Sequence, residues 1–298
     1  MTAPASAYPW PDGKKAALCV SFDMDAEAAV LAVDETFSRR PSIMSHQQYG
    51  PVTGVPRLLA MLANLELRAS FFIPGFSAER HPGTVAAIAE AGHEIGHHGY
   101  LHRPPGLIDA TTERSELELG LAALERIAGV RATIFRAPWW ETSTATFDLL
   151  LEYGFTCDSS LFDRDVPYRL GIGSSELVEV PVSWALDDWE KYAFLPDPPT
   201  GSGVIESPGR VHETWWEEIQ AYVEVGGCCV LTMHPFLSGR PSRVRALRGL
   251  LQKATAVSEL WIATVGEVAA QCAGSEVPVH PLALPSIGPG PAEPVPGS

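Results

Sequence analysis

Positive charge is scarce in this chain. Its 298 residues carry 21 Lys and Arg against 36 Asp and Glu, a formal net charge of −15. Such a surface repels polyphosphates and anionic headgroups, so neither nucleic acid nor a membrane is an expected partner. Long apolar runs are also missing. None approaches the roughly 18 residues that a bilayer-spanning helix needs, although 46% of the residues are hydrophobic, enough to bury a large core. The first stretch, MTAPASAYPWPDGKK, shows no basic segment followed by an apolar one, as an export signal would. The five cysteines, Cys19, Cys157, Cys228, Cys229 and Cys272, are odd in number and form no C-x-x-C pair, which argues against a disulfide framework. These absences lead to the expectation of a soluble cytoplasmic protein.

What the chain has is histidine in one place. The stretch HEIGHHGYLHRPP, residues 93 to 105, holds four of the nine histidines. Around it, short apolar runs alternate with segments of helical periodicity. AALCVSF (16–22) precedes GVPRLLAMLANLE (54–66), RASFFI (68–73) precedes PGTVAAIAEAG (82–92), and CCVLTMH (228–234) follows VHETWWEEIQAYVEVGG (211–227). Such alternation predicts an α/β fold with a parallel sheet, and about seven repeats in one domain favour a distorted (β/α) barrel over an open sheet. The expected organisation is a leader over 1–15, a catalytic barrel over 16–272 and a Pro/Gly-rich C-terminal tail over 273–298. That tail reads as disordered, or alternatively as an arm laid on a neighbouring subunit of a homo-oligomer. Residues 34–54 and 189–208 read as long loops, the usual form of lids.

The polar clusters fall at the carboxyl ends of the expected strands, the face where such barrels carry their active sites. His98 and His102 stand four apart, so on a turn of helix they point the same way and can share a metal ion. Asp25 is the candidate third ligand, giving a two-His, one-carboxylate set with open positions. An H-x-x-x-H pair alone is more often structural, but further clusters at the same face outweigh that reading. Asp23 and Asp25 share a phase in an extended segment and can both face the barrel mouth. Arg136 follows another strand, and His234 closes a buried one, where it can donate a proton near neutral pH.

Together these residues resemble the NodB-homology or polysaccharide deacetylase family, the carbohydrate esterase 4 group. SFDMDAE stands for its T-F-D-D-G motif, HGYLH for H-[ST]-x-x-H, RAPW for R-x-P-[YW] and LTMHP for L-x-L-H-P, in the same chain order. The resemblance implies a NodB-like barrel, Asp23 as general base, Asp25, His98 and His102 as metal ligands, His234 as general acid, and Arg136 holding Asp23. It also implies a divalent metal, zinc by ligand type. The departures are Met24 between the two acids, Gly99 in place of Ser or Thr, and ALDDW for D-x-x-D-W. In the last, Ala185 replaces one acid while Asp188 and Trp189 remain, so the partner that orients His234 is left open. The pattern is similar to the branch that holds Helicobacter-type peptidoglycan deacetylase, cyclic imidases and metal-independent PuuE-type allantoinases.

The expected activity is hydrolysis of a non-peptide carbon–nitrogen bond, with N-deacetylation of a small acetylated amino sugar or related metabolite first. Ring opening of a cyclic imide or ureide is the close alternative, and a catalytically silent binding protein of the same fold is the alternative of another class. The expected partner is a small-molecule substrate. Trp139, Trp140 and Trp189 would wall its pocket, although tryptophans are equally ordinary core residues. Arg103, with Arg39 and Arg40, would hold a carboxylate or phosphate unless these arginines form a solvated face.

Overall fold

The computed structural model describes residues 8–196, 199–200 and 203–284. Its strands are β1 (Ala16–Asp23), β2 (Ser70–Ile73), β3 (Glu94–His97), β4 (Ile134–Phe135), β5 (Cys157–Asp158), β6 (Tyr168–Ile172), β7 (Ser175–Glu179), β8 (Leu195–Pro196), β9 (Pro199–Thr200), β10 (Cys228–Met233), β11 (Leu260–Ala263) and β12 (Val279–Pro281). Seven of them, in the order β10-β1-β2-β3-β4-β5-β7, pair in parallel throughout. Beyond β7 the chain returns to β10, where Asp187 bridges Thr232 in parallel. The result is the distorted (β/α) barrel expected from the alternation. The central strand β1 is buried on both faces along its whole length, which is why it reads as an unbroken apolar run.

Helices cover the outside. The helix Ala110–Ala128 starts at Asp109, whose carboxylate accepts from the backbone N–H groups of Thr111 and Thr112. It stops at Gly129, which takes the left-handed φ of 69°. Among the described residues, no helix is long and apolar enough to cross a membrane.

Two expectations about the chain's periphery need correction. Residues 34–54 are helical, not a loop: a 3-10 turn over Glu35–Arg39, the helix Pro41–Tyr49 and a π turn over Gly50–Gly54. The prolines of this segment, Pro41 and Pro51, each stand in the first turn of a helical piece, where a missing N–H costs nothing. The part of the leader that is described packs on the barrel: Trp10 is buried, its indole N–H donating to the Gly226 carbonyl at 2.9 Å. The tail read as disordered from 273 is a strand at Val279–Pro281, paired in parallel with β6. Residues 285–298 of that tail lie outside the described residues. The strand β6 and its antiparallel pairing with β7 went unread in the sequence.

Candidate active site

Asp23 is the last residue of β1, His98 follows β3, Arg136 follows β4 and His234 follows β10. All four are buried, as are Asp25, His102, Asp187 and Asp188. The sequence-predicted ligands converge. His98 Nε2 lies 3.5 Å from Asp25 Oδ1, and His102 Nε2 lies 3.5 Å from Asp25 Oδ2. The local structure differs from expectation: residues 98–102 form an irregular turn with φ of 72° at Gly99 and 62° at His102, not a turn of helix. The two imidazoles still meet, with ring centroids 4.9 Å apart.

The donor set fits a divalent cation. Zinc bonds of about 2.0–2.2 Å in tetrahedral array put neighbouring ligand atoms about 3.3–3.6 Å apart; each imidazole Nε2 stands 3.5 Å from one of the two Asp25 carboxylate oxygens, and one ligand atom from each of the three residues lies within 4.8 Å of the others. Asp25 Oδ1 and His102 Nδ1 are buried without a hydrogen-bond partner, a cost that a bound cation would offset for the carboxylate oxygen. His98 Nδ1–H donates to the Arg136 carbonyl at 2.6 Å, so its Nε2 lone pair faces Asp25. Burial pushes His98 down to about 3 and lowers His102 as well, keeping both imidazoles neutral, the form that ligates metal.

Two charged pairs flank this cluster. Asp23 Oδ2 is 3.9 Å from His98 Nε2, while its Oδ1 accepts from Arg136 Nη1 at 2.7 Å. The fully buried guanidinium also donates to Ser21 Oγ and Ser159 and stacks over Phe72. Burial pushes Asp23 up to about 6, with Arg136 and His234 holding it back. On the other strand, His234 Nε2 is 3.5 Å from Asp25 Oδ2. Its Nδ1–H donates to Asp188 Oδ1 at 2.7 Å, and Ser238 Oγ donates to the other oxygen of Asp188. The question left open by ALDDW is thereby answered: Asp188 orients His234. Burial opposes a charged His234, but Asp187, Asp188 and Asp25 outweigh it and raise its pKa well above the ordinary histidine value.

A pocket opens over these groups, lined by Trp139, Trp140, Trp184 and Trp189 together with Asp187 and Glu190. Trp140 and Trp184 lie 4.3 Å apart by ring centroid, and Trp139 meets Trp189 edge-on at 5.9 Å. Ala26, Trp139 and Trp140 join His102 in the left-handed region, so strained backbone gathers around the site. Trp184, Asp187 and Glu190 were not singled out in the sequence, although Asp187 lies inside the ALDDW motif and the other two flank it.

Arg103 does not line the pocket. Its guanidinium is engaged by Glu116 at 3.1 Å and Glu35 at 3.5 Å, behind the histidine turn. Neither Arg39 nor Arg40 lines the pocket either. Reading these arginines as anion holders is therefore corrected: the described walls carry carboxylates and tryptophans and no Lys or Arg.

A barrel with buried carboxylates and imidazoles at its mouth defines a hydrolase of the deacetylase and amidohydrolase class, and comparison with known proteins agrees. Residues 38–157 match the family model for polysaccharide deacetylase. The peptidoglycan deacetylase of Helicobacter pylori is 32% identical over 227 residues, covering 67% of this chain and 77% of its own length. A crystal structure of a candidate polysaccharide deacetylase from Mycobacterium smegmatis superposes with a TM-score of 0.92 at 46% identity, over 96% of this chain and 99% of that one. The PuuE allantoinase shares the fold, with a TM-score of 0.78 at 22% identity over 91% and 94% of the two chains. The chain belongs to the polysaccharide deacetylase family, whose members hydrolyse carbon–nitrogen bonds other than peptide bonds.

Proposed function

We propose that this chain deacetylates a small N-acetylated amino sugar or related metabolite, with Asp25, His98 and His102 holding a divalent cation, zinc by its donor set. When bound, such a cation polarises the scissile carbonyl and lowers the pKa of a coordinated water. Asp23 accepts the proton of the attacking water, held in place by Arg136. Amide nitrogen leaves poorly as an anion, so His234 protonates it as the bond breaks. Asp188 keeps Nδ1 of His234 protonated and turned inward, leaving Nε2 toward the pocket. The observation that carries the reading is the convergence of Asp23 and His234, each on its own buried counter-charge, upon one Asp–His–His cluster.

Ring opening of a cyclic imide or ureide would use the same residues. The tryptophan-walled pocket favours it as the second reading, because flat aromatic walls suit a planar ring. The acidic walls disfavour a polyanionic substrate under either reading. A panel of N-acetyl sugars, simple amides, cyclic imides and ureides tests the proposal by kcat/KM. Turnover of N-acetyl sugars above the rest supports deacetylation, a preference for cyclic compounds supports ring opening, and no turnover across the panel supports a binding protein.

A further inference from the structure

The two proposed histidine ligands are joined by a turn, Gly99 to Leu101, whose conformation no regular element fixes. Two of its backbone donors instead meet one side chain from the surrounding helical layer. Glu116, on the helix Ala110–Ala128, is buried, and its Oε2 accepts from the N–H of Tyr100 at 2.8 Å and of Leu101 at 2.7 Å. Its Oε1 takes Arg103 Nη1 at 3.1 Å, directly after the second ligand. The helix is drawn close here. A Cβ at Gly120 would sit 2.2 Å from His97 Nε2 and 2.7 Å from the Gly99 carbonyl, so only glycine permits the approach. His97 ties the same parts together: its Nδ1 accepts from the Gly99 N–H at 3.1 Å, and its Nε2–H donates to the Leu117 carbonyl at 3.1 Å.

We infer that Glu116 is a positioning residue for metal binding, a carboxylate clamp that shapes the turn between His98 and His102 and so sets the spacing of their Nε2 atoms. Arg103 supplies the clamp's counter-charge, which gives the arginine after the second histidine a place in the site without any contact with substrate. Gly99 fits the same design, since its φ of 72° and the closeness of Pro138 and Glu116 leave little room for a side chain. The inference rests on the reading of His98 and His102 as ligands.

The test is the zinc affinity of the chelator-stripped full chain, measured by competition with a chromogenic chelator, for wild type, Glu116→Asp and Glu116→Gln. Aspartate is one methylene shorter and cannot reach both N–H groups, so Glu116→Asp should bind zinc at least about tenfold more weakly, as supporting residues around metal sites do, with an unchanged circular dichroism spectrum. Glutamine keeps an acceptor oxygen at the right reach and should recover most of the affinity. Hydrogen exchange on unaltered protein checks the clamp without a variant: the Tyr100 and Leu101 amides should be protected in the metal-free chain. A folded Glu116→Asp with wild-type affinity, or fast exchange at both amides, would overturn this inference alone. A wild type that binds no zinc would overturn the ligand reading, and this inference with it.

Discussion

At the scale of single residues, the account assigns separate tasks to two aspartates that stand two positions apart. Asp25 faces the imidazole nitrogens of both proposed ligands and belongs to the cation, while Asp23 is paired with Arg136 and belongs to the proton. Asp23→Asn should therefore keep metal and lose at least about 100-fold in kcat, the usual worth of a general base. His234→Ala should show the same split. Metal analysis alongside kcat decides, and near wild-type turnover in either variant would remove the assigned roles. These residues were legible because each closes a strand, where an ionisable side chain after an apolar run has little structural reason to be. Arg103 was misread for the opposite reason. Its partner Glu116 lies on the following helix, and sequence adjacency to His102 does not reveal to which side of the turn the guanidinium points. Trp184 and Asp187 were passed over because they sit in a short irregular link, where no periodicity marks the inward positions.

At the scale of elements, two contacts away from the reacting groups carry predictions. Strands β5 and β7 place Asp158 opposite Glu179 in register, both fully buried, with no hydrogen-bond partner for Asp158 Oδ2 or Glu179 Oε2. Burial first, and then the charge of Asp158, push Glu179 well above the ordinary carboxylate range. The folded value thus exceeds the unfolded one of about 4.3. Stability from the retained proton is present at low pH and is lost as pH rises through the folded value. Thermal midpoints from about pH 5 to about pH 9 should fall for wild type and fall less for Glu179→Gln; equal slopes would contradict a proton retained on Glu179. The second contact joins the π turn at Gly50–Gly54 to the segment after His234. A Cβ at Gly54 would lie 2.2 Å from the Pro235 carbonyl oxygen, a backbone atom with little freedom to move. Gly54→Ala should cost about 1–3 kcal/mol by overpacking, read by denaturant unfolding. This region was hidden from the sequence reading by its own composition, since Pro, Gly and Ser over 34–54 resemble loop punctuation until Pro41 and Pro51 are seen in first turns.

At the scale of the whole molecule, the parallel barrel was legible because strands such as β1, β2 and β10 are short apolar runs and most crossovers carry a periodic helix, so period separates them. The edge was not legible. β12 is held by pairing with β6 far away in sequence, and a three-residue strand leaves no local pattern. The helical 34–54 segment does not line the pocket, so the case for a small substrate now rests on the tryptophan walls. Matched kinetics on a monomeric N-acetyl sugar and its polymer should favour the monomer in kcat/KM, and preference for the polymer would return the site to a groove-like use. The central claim, a cation held by Asp25, His98 and His102 that serves carbon–nitrogen hydrolysis, is tested most directly by stripping the protein with a chelator and titrating zinc back while following turnover of its best panel substrate. The account predicts that activity vanishes on stripping, returns at about one equivalent of zinc, the stoichiometry of a single three-ligand site, and does not return in His98→Ala. Full turnover by the stripped protein would contradict it.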